Sequence, residues 1–242
     1  MKNKNRLLIA AASAVLAILL IGFAIIYFNG FSDIHHHTKP EDGQIKVACV
    51  GDGITYGYGI SGWPINNYPA QLQKMLGDKY HVSNFGQNGS TVSDDGDKPY
   101  TETKQFAKSL EYNADIVVIM LGTNDTKPEN WTDVKNFIDR YDALVNRYRE
   151  NNPNVKIIVC TPPQAFFSGG KKEGTTNFDI QPEYVREIMN HLRTYGLTKG
   201  FDVVDVYDLT RNHAEWFTSD NVHPSKDGAR AIAELVAKKI KK

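Results

Sequence analysis

The chain has 242 residues, of which 41% are hydrophobic and 23% are charged, and its 28 basic residues balance its 28 acidic residues. This is the composition of an ordinary globular domain. Because no basic excess is available to hold a phosphate backbone, we expect no nucleic acid partner. The lysine cluster at residues 238–242 is expected to lie on the solvated last turn of a helix, where positive charge suits the helix dipole.

Residues 7–28 carry no charge and are nearly all apolar. As a helix they would span about 33 Å, which matches the hydrocarbon core of a bilayer. Three basic residues precede the segment, so residues 1–6 are predicted to stay in the cytoplasm and the rest of the chain to lie outside the cell. The alternative is a cleaved signal peptide, but the run is long for one and no Ala-x-Ala site closes it. We therefore predict a single-pass anchor in the cell membrane.

Residues 29–44 are polar, show no periodicity and include the run His35-His36-His37. This composition predicts a flexible linker to a folded domain at residues 45–242. Three adjacent histidines could hold a metal ion, but a flexible linker presents no fixed ligand geometry. We therefore expect these histidines to be solvated, and we predict no metal site.

Short apolar runs alternate with helical patterns, which predicts an α/β domain with a doubly wound, parallel, five-stranded sheet. The predicted strands are residues 47–50, 80–85, 114–121, 155–160 and 201–206. The predicted helices are residues 68–76, a helix that begins after an N-cap at Thr132, and residues 182–197 and 225–240. Cys49 and Cys160 fall inside strands and are expected to be buried thiols. The aperiodic stretch from residue 161 to about residue 181 is long for a loop, which is typical of functional or disordered segments.

Polar residues follow the strands, at the sheet edge where α/β proteins place their chemistry. The Asp220-x-x-His223 spacing lets the carboxylate reach Nδ1 of the imidazole and leaves Nε2 free as a base. The backbone N–H groups of Gly53 and Gly86, with the side-chain amide of Asn124, would form an oxyanion hole with three donors. This set of groups is typical of acyl transfer.

The chain resembles the GDSL-like, or SGNH, hydrolases, which have a flavodoxin-like α/β fold. The resemblance rests on four blocks in the family's order and spacing, at residues 50–57, 84–89, 122–125 and 220–224. It implies that Gly86 and Asn124 are oxyanion donors, that His223 is the general base and that Asp220 orients it. It also implies carboxylic ester hydrolysis without a metal or cofactor. Residues 127–131 resemble the branch of acetylesterases that act on O-acetylated sugars, so an acylated glycan or another small ester is the expected substrate.

One position departs from the family pattern, because Gly53 stands where the nucleophilic serine belongs. A glycine has no hydroxyl, so the acyl-enzyme route is closed in the chain as written. In subtilisin, loss of the serine costs about a millionfold in turnover, while binding and the oxyanion hole keep roughly a thousandfold or more over water. We therefore expect the written chain to be inactive or nearly so.

Several explanations of Gly53 stay open. Thr55, Ser61 and Ser90 lie near in sequence, but a shift of about 1 Å can cost about a hundredfold in rate, which disfavours a substitute nucleophile. His223 could instead activate water directly, by a route expected to be slow. The remaining explanations are an engineered knock-out and a natural non-catalytic relative that binds acylated glycans.

Three tryptophans, Trp63, Trp131 and Trp216, lie beside predicted strand-end loops. They could form a platform for a sugar ring or simply pack at the loop bases, and both interpretations stay open. Asp52, Trp131 and Trp216 are the predicted substrate-binding residues. The alternative functions are a glycan-binding module without turnover and a lysophospholipase-like lipid esterase. A wide apolar groove beside His223 would favour the lipid, and a shallow cleft lined by aromatic residues would favour the sugar.

Overall fold

The computed structural model describes residues 2–167 and 176–242. The strands of these residues are β1 (Ile45–Gly51), β2 (Tyr80–Gly86), β3 (Ile116–Met120), β4 (Lys156–Cys160) and β5 (Asp202–Val204). The helices are α1 (Lys2–Phe28), α2 (Gly53–Tyr56), α3 (Trp63–Asn66), α4 (Tyr68–Leu76), α5 (Lys104–Tyr112), α6 (Val134–Asn151), α7 (Pro182–Lys199), α8 (Val206–Thr210) and α9 (Lys226–Ile240). Part of the long loop expected between residues 161 and 181 lies outside the described residues.

The five strands form one parallel sheet in the order β2-β1-β3-β4-β5. This is the flavodoxin-like order, so the predicted fold class is confirmed. Gly51, the last residue of β1, pairs with Gly86 on one side and Met120 on the other. The loops that follow these three strands therefore start side by side at one edge of the sheet.

Helices cover both faces of the sheet, and β1 shows why. Val47 and Cys49 pack with α4 and α9 on one face, while Ala48 and Val50 pack with α5, α6 and α7 on the other. All four side chains are fully buried. Full burial of one aliphatic side chain contributes about 1.5–3 kcal/mol, so a central strand needs apolar residues at every position. Both cysteines are buried and free, as the sequence predicted.

Most strand and helix ends differ from the prediction by one or two residues, and at two of the boundaries that differ an aspartate sets the boundary. The N-cap of α6 is Asp133, whose side chain accepts the N–H of Asn136 at 2.8 Å, so the prediction of Thr132 as the cap was wrong. The fifth strand ends at Val204 rather than at residue 206. It ends early because the side chain of Asp205 accepts the N–H of Asp208 at 3.0 Å and caps α8.

The segment between α1 and β1 has no regular secondary structure, as expected, but part of it lies against the domain. His37 Nδ1 is 2.9 Å from Ser83 Oγ, and His37 Nε2 is 3.0 Å from Gln105 Oε1. The ring of His37 also stacks on Phe85, with 4.7 Å between ring centroids. The expectation of a free tether with solvated histidines is therefore wrong at this position, because three side chains of the domain hold His37.

Helix α1 contains one segment, Ile9–Phe28, that is long and apolar enough to cross a membrane. A signal sequence near the N-terminus would meet the same criteria of length and composition. None of the segment is buried inside the protein. Its last turn contacts the domain, since Tyr27 packs edge-on against Trp63 with 5.6 Å between ring centroids.

Candidate active site

A tight turn before α9 positions the predicted general base. Asp220 Oδ1 accepts the backbone N–H groups of Val222 at 2.9 Å and His223 at 2.8 Å. Asp220 Oδ2 lies 2.8 Å from His223 Nδ1. Asn221 occupies the left-handed region with φ of 61°, a conformation that asparagine adopts more readily than most residues. One carboxylate therefore fixes both the turn and the direction of the imidazole ring.

The same contacts keep Asp220 ionised. Burial acts to raise the pKa of its carboxyl, but the hydrogen bond and charge of His223, with the two backbone N–H groups, outweigh burial and lower the pKa to about 2. An ionised carboxylate accepts a hydrogen bond from the N–H at Nδ1, so the neutral imidazole carries its hydrogen there. Nε2 is then the proton acceptor of the pair.

Gly53 begins α2, and it faces this acceptor. Asp52 is the N-cap of α2, and its Oδ1 accepts the N–H of Ile54 at 2.9 Å. A Cβ atom on Gly53 would lie 2.8 Å from His223 Nε2 and 3.3 Å from Asn88 Oδ1. The position where the sequence expects a nucleophile is therefore next to the predicted base.

Asn124 lies in a short 3-10 turn after β3, and its amide reaches the same edge of the sheet. Its Nδ2 donates to Asp52 Oδ2 at 3.2 Å and to the backbone oxygen of Ser90 at 3.1 Å. Burial raises the pKa of Asp52 to about 6, although the N–H of Ile54 and the charge of His223 act against it. Both oxygens of Asp52 accept hydrogen bonds from the protein, so this side chain connects the start of α2 with the amide of Asn124.

The structure does not support Gly86 as an oxyanion donor. The N–H of Gly86 donates to Asn84 Oδ1 at 2.9 Å, and a Cβ at Gly86 would lie only 2.2 Å from the backbone nitrogen of Tyr56. Gly86 is thus packed against α2. Gly89, three residues later in the same block, has φ of +76° and borders the cavity. The sequence offered a signal, because an asparagine side chain often accepts the N–H two residues on.

A cavity of about 260 Å³ lies over these residues. Tyr58 and Phe178 flank the base, with ring centroids 4.8 and 5.4 Å from that of His223. The described residues that border the cavity are Asp52, Ile54, Tyr58, Asn88, Gly89, Asp97, Lys98, Thr123, Asn124, Lys127, Phe178, Ile180, Val222 and His223. A larger groove of about 800 Å³ lies between α8 and α9, but none of the strand-end polar groups of the site borders it.

Two of the predicted substrate-binding residues are found away from this cavity. Trp131 stacks on Tyr184, with 4.4 Å between ring centroids, and Trp216 stacks on His213 at 3.8 Å. Neither tryptophan is among the described residues that border the cavity. Trp63 is buried. The three tryptophans are thus outside the lining of the cavity among the described residues, whereas Asp52 borders it.

Comparison with known proteins gives one family. A model of the GDSL-like Lipase/Acylhydrolase family matches residues 49–231. The chain is 33% identical over 220 residues to an acetylxylan esterase from Xylanibacter ruminicola and 26% identical over 234 residues to a multidomain esterase from Ruminococcus flavefaciens. The two matches cover 84% and 82% of this chain. They cover 44% and 28% of the relatives, so the chain spans less than half the length of these proteins.

Solved structures show the same fold. A carbohydrate acetylesterase family member from Sinorhizobium meliloti superposes with a TM-score of 0.68 at 21% identity, covering 82% of this chain and 98% of that chain. A lipase/acylhydrolase from Enterococcus faecalis gives a TM-score of 0.63 at 23% identity, covering 82% of this chain and 96% of that chain. At these identities the similarity establishes the fold alone.

Proposed function

Because the chain belongs to the GDSL-like lipase/acylhydrolase family, we propose that residues 45–242 form a carboxylic ester hydrolase domain that removes acetyl groups from O-acetylated carbohydrate. The observation that carries the proposal is the hydrogen bond between Asp220 Oδ2 and His223 Nδ1 at 2.8 Å, which leaves Nε2 facing position 53. An oriented imidazole beside amide donors at a strand-end cavity is suited to attack on an ester carbonyl.

The cavity supports a sugar as the alcohol part of the ester. Tyr58 and Phe178 lie beside the base, and Asp97, Lys98 and Lys127 give part of the wall charged groups that can hydrogen-bond sugar hydroxyls. Ile54, Ile180 and Val222 leave more of the exposed wall apolar than polar, so an apolar part of the ester also finds contact there. The acetylxylan esterase relative agrees with this choice. A lipid esterase is the second candidate, and activity on acetylated xylan compared with activity on long-chain lipid esters distinguishes the two.

The chemistry expected with a serine at position 53 has two steps. The serine oxygen attacks the acetyl carbonyl carbon while its proton passes to His223 Nε2, and Asp220 stabilises the imidazolium. The backbone N–H groups of residue 53 and Gly89 are our candidates for holding the negative oxygen, and Asn124 Nδ2 joins them when it exchanges its bond to Asp52 Oδ2 or to the backbone oxygen of Ser90 for the substrate. The sugar hydroxyl leaves with the proton from Nε2, and water then releases acetate. With Gly53 the first step has no nucleophile, so we propose that the written chain is disabled for the acyl-enzyme route.

The test compares the full chain in detergent with its Gly53→Ser variant. A serine Cβ would lie 2.8 Å from Nε2, so the imidazole ring of His223 must shift by a few tenths of an ångström. A shift of this size is possible because Nε2 is at the end of a side chain. We expect Gly53→Ser to raise kcat on acetylated xylan and 4-nitrophenyl acetate by about a thousandfold or more. The control is the double variant Gly53→Ser with His223→Ala, which should lose this gain.

Each other outcome identifies a different function. If Gly53→Ser hydrolyses long-chain lipid esters and leaves acetylated xylan intact, the domain is a lipid esterase. If it hydrolyses no ester while the written chain binds acetylated xylan in calorimetry, the domain is a glycan-binding module. Binding to neither glycan nor ester would remove the carbohydrate proposal altogether.

We also propose that α1 remains as a single-pass anchor in the cell membrane and that the domain lies outside the cell. The supporting features are the length and apolar character of Ile9–Phe28 and the basic residues before it. Membrane fractions should retain the full-length chain after alkaline extraction, and added protease should digest the domain on intact spheroplasts. Recovery of a shortened chain in the medium would identify residues 1–28 as a cleaved signal sequence instead.

A further inference from the structure

Two hydrogen-bond acceptors flank the space beside Gly53. One is His223 Nε2, which accepts because Asp220 holds the ring hydrogen on Nδ1. The other is Asn88 Oδ1. A Cβ on Gly53 would lie 2.8 Å from the first atom and 3.3 Å from the second. In a family member with serine, the side chain would fill this space, whereas a glycine leaves both acceptors without that neighbour, in two residues that border the cavity.

Asn88 Oδ1 is an unusual atom in this structure. It is buried, and it has no hydrogen-bond partner among the described residues. Buried side-chain oxygens are normally satisfied, by protein or by an ordered water. The Asn88 backbone is held in place, because its carbonyl oxygen accepts Lys98 Nζ at 2.7 Å.

From this geometry we propose that the written chain hydrolyses its ester directly, with a water molecule held beside Gly53 by His223 Nε2 and Asn88 Oδ1 as the nucleophile. The proposal rests on the proposed function, since it uses the same cavity and base. A water molecule has two hydrogens, and two acceptors fix both of them. Its lone pair then points away from the acceptors, toward a carbonyl carbon held by the amide donors. Asn88 is a positioning residue for this water.

The step balances without any further reactant. The water oxygen forms a bond to the carbonyl carbon as one of its protons moves to His223 Nε2, and the carbonyl oxygen becomes the oxyanion. The tetrahedral species collapses, the bond from carbon to the alcohol oxygen breaks, and the alcohol leaves with the proton from Nε2. The products are acetic acid and a free hydroxyl group. No covalent bond to the protein forms at any stage.

The most direct test uses a methyl group to narrow the space beside Gly53 that the water needs. Gly53→Ala adds a single carbon where it would contact Nε2 and Asn88 Oδ1, and the backbone of residue 53 is not in the left-handed region. General-base catalysis contributes about 10²–10⁴-fold, so we expect Gly53→Ala to lower kcat on 4-nitrophenyl acetate by about a hundredfold or more relative to the written chain. A thermal melt checks that the variant folds.

The role of Asn88 is tested in two matched backgrounds. In the written chain, Asn88→Ala should lower kcat by about tenfold or more and leave KM unchanged, because only the attacking water is affected. In the Gly53→Ser background, the covalent bond to Cβ holds the nucleophilic oxygen, so the same substitution should change the acylation rate, measured as the burst of 4-nitrophenol, by less than about threefold. A purely structural role for Asn88 would lower kcat of the written chain and the acylation rate of the serine variant to the same extent.

The outcomes separate this inference from the proposed function. Turnover by the written chain, lost in Gly53→Ala and lowered by Asn88→Ala in the glycine background alone, supports direct attack by water. Turnover by Gly53→Ser with none by the written chain overturns the inference and leaves the proposed function intact. If neither the written chain nor Gly53→Ser hydrolyses any ester, the inference and the proposed function are both overturned. A covalent adduct of the written chain with a fluorophosphonate ester, seen by mass spectrometry, would overturn the inference by revealing a substitute nucleophile.

Discussion

A single carboxylate, Asp220, decides which nitrogen of His223 carries the hydrogen. Asp220→Asn keeps the size of the side chain but no longer favours the tautomer with hydrogen on Nδ1. The equivalent change in a serine protease lowers kcat by about ten-thousandfold, and we expect a similar loss for Asp220→Asn in the Gly53→Ser background. Hydrolysis of 4-nitrophenyl acetate measures it. A loss of less than tenfold in a folded variant would show that the imidazole is oriented by other groups.

The same residue gives a prediction for stability against pH. The pKa of Asp220 is about 2 in the folded chain and 3.8 in a model compound, so its contribution is fully present above about pH 4 and is lost as the pH falls toward 2. This difference corresponds to roughly 2 kcal/mol. Between pH 4 and 2, urea denaturation should show the free energy of unfolding falling by about 2 kcal/mol more in the parent than in Asp220→Asn. If the free energy of unfolding falls equally with pH in the parent and in Asp220→Asn, the lowered pKa of Asp220 is contradicted.

At the scale of elements, the site depends on close contact between β2 and α2. A Cβ at Gly86 would lie 2.2 Å from the backbone nitrogen of Tyr56, which has no flexible end to move aside. We expect Gly86→Ala to cost about 1–3 kcal/mol, measured by chemical denaturation. The control is Gly77→Ala, where φ is +75° but nothing lies within 4 Å of the added carbon. Gly86 is not in the left-handed region, so Gly77→Ala gives the cost of backbone strain without a contact, and an unchanged free energy of unfolding in Gly86→Ala would contradict the close contact.

The elements also show which signals in the sequence are reliable. Buried strands and the convergence of their polar ends could be predicted, because a central parallel strand is apolar at every position and ends at the shared edge. Helix α5 was not predicted, although Phe106 and Leu110 have helical spacing on its apolar side, where Gln105 and Ser109 are also buried. The choice between Gly86 and Gly89 needed the hydrogen bond of Asn84, since both glycines fit the same block.

At the scale of the whole molecule, sequence patterns fail where contacts are distant. The composition of residues 29–44 indicates a tether, yet His37 contacts Ser83 and Gln105, which are 46 and 68 positions away. No local periodicity encodes such a pair. The positions of Trp131 and Trp216 have the same explanation, because the side chains on which they stack decide whether they face the cavity.

Residues 31–44 lie against the domain through His37, and this contact predicts a difference in stability between two truncated chains. A chain that begins at residue 45 loses the stacking of His37 on Phe85 and both of its hydrogen bonds, whereas a chain that begins at residue 31 keeps them. For a loss of about 2 kcal/mol, we expect the shorter chain to melt about 4–8 °C lower in a calorimetric scan. The matched control is His37→Ala in the longer chain, which should reproduce most of the difference.

The same comparison reaches the active site. Phe31 packs against Tyr58 with 5.2 Å between ring centroids, and Tyr58 packs against His223. In the Gly53→Ser background, removing residues 31–44 should therefore raise KM for acetylated xylan, because one aromatic wall of the cavity loses its support, while kcat for 4-nitrophenyl acetate changes little. Equal melting temperatures and equal KM values for the two chains would show that residues 31–44 form a free tether, as their composition indicates.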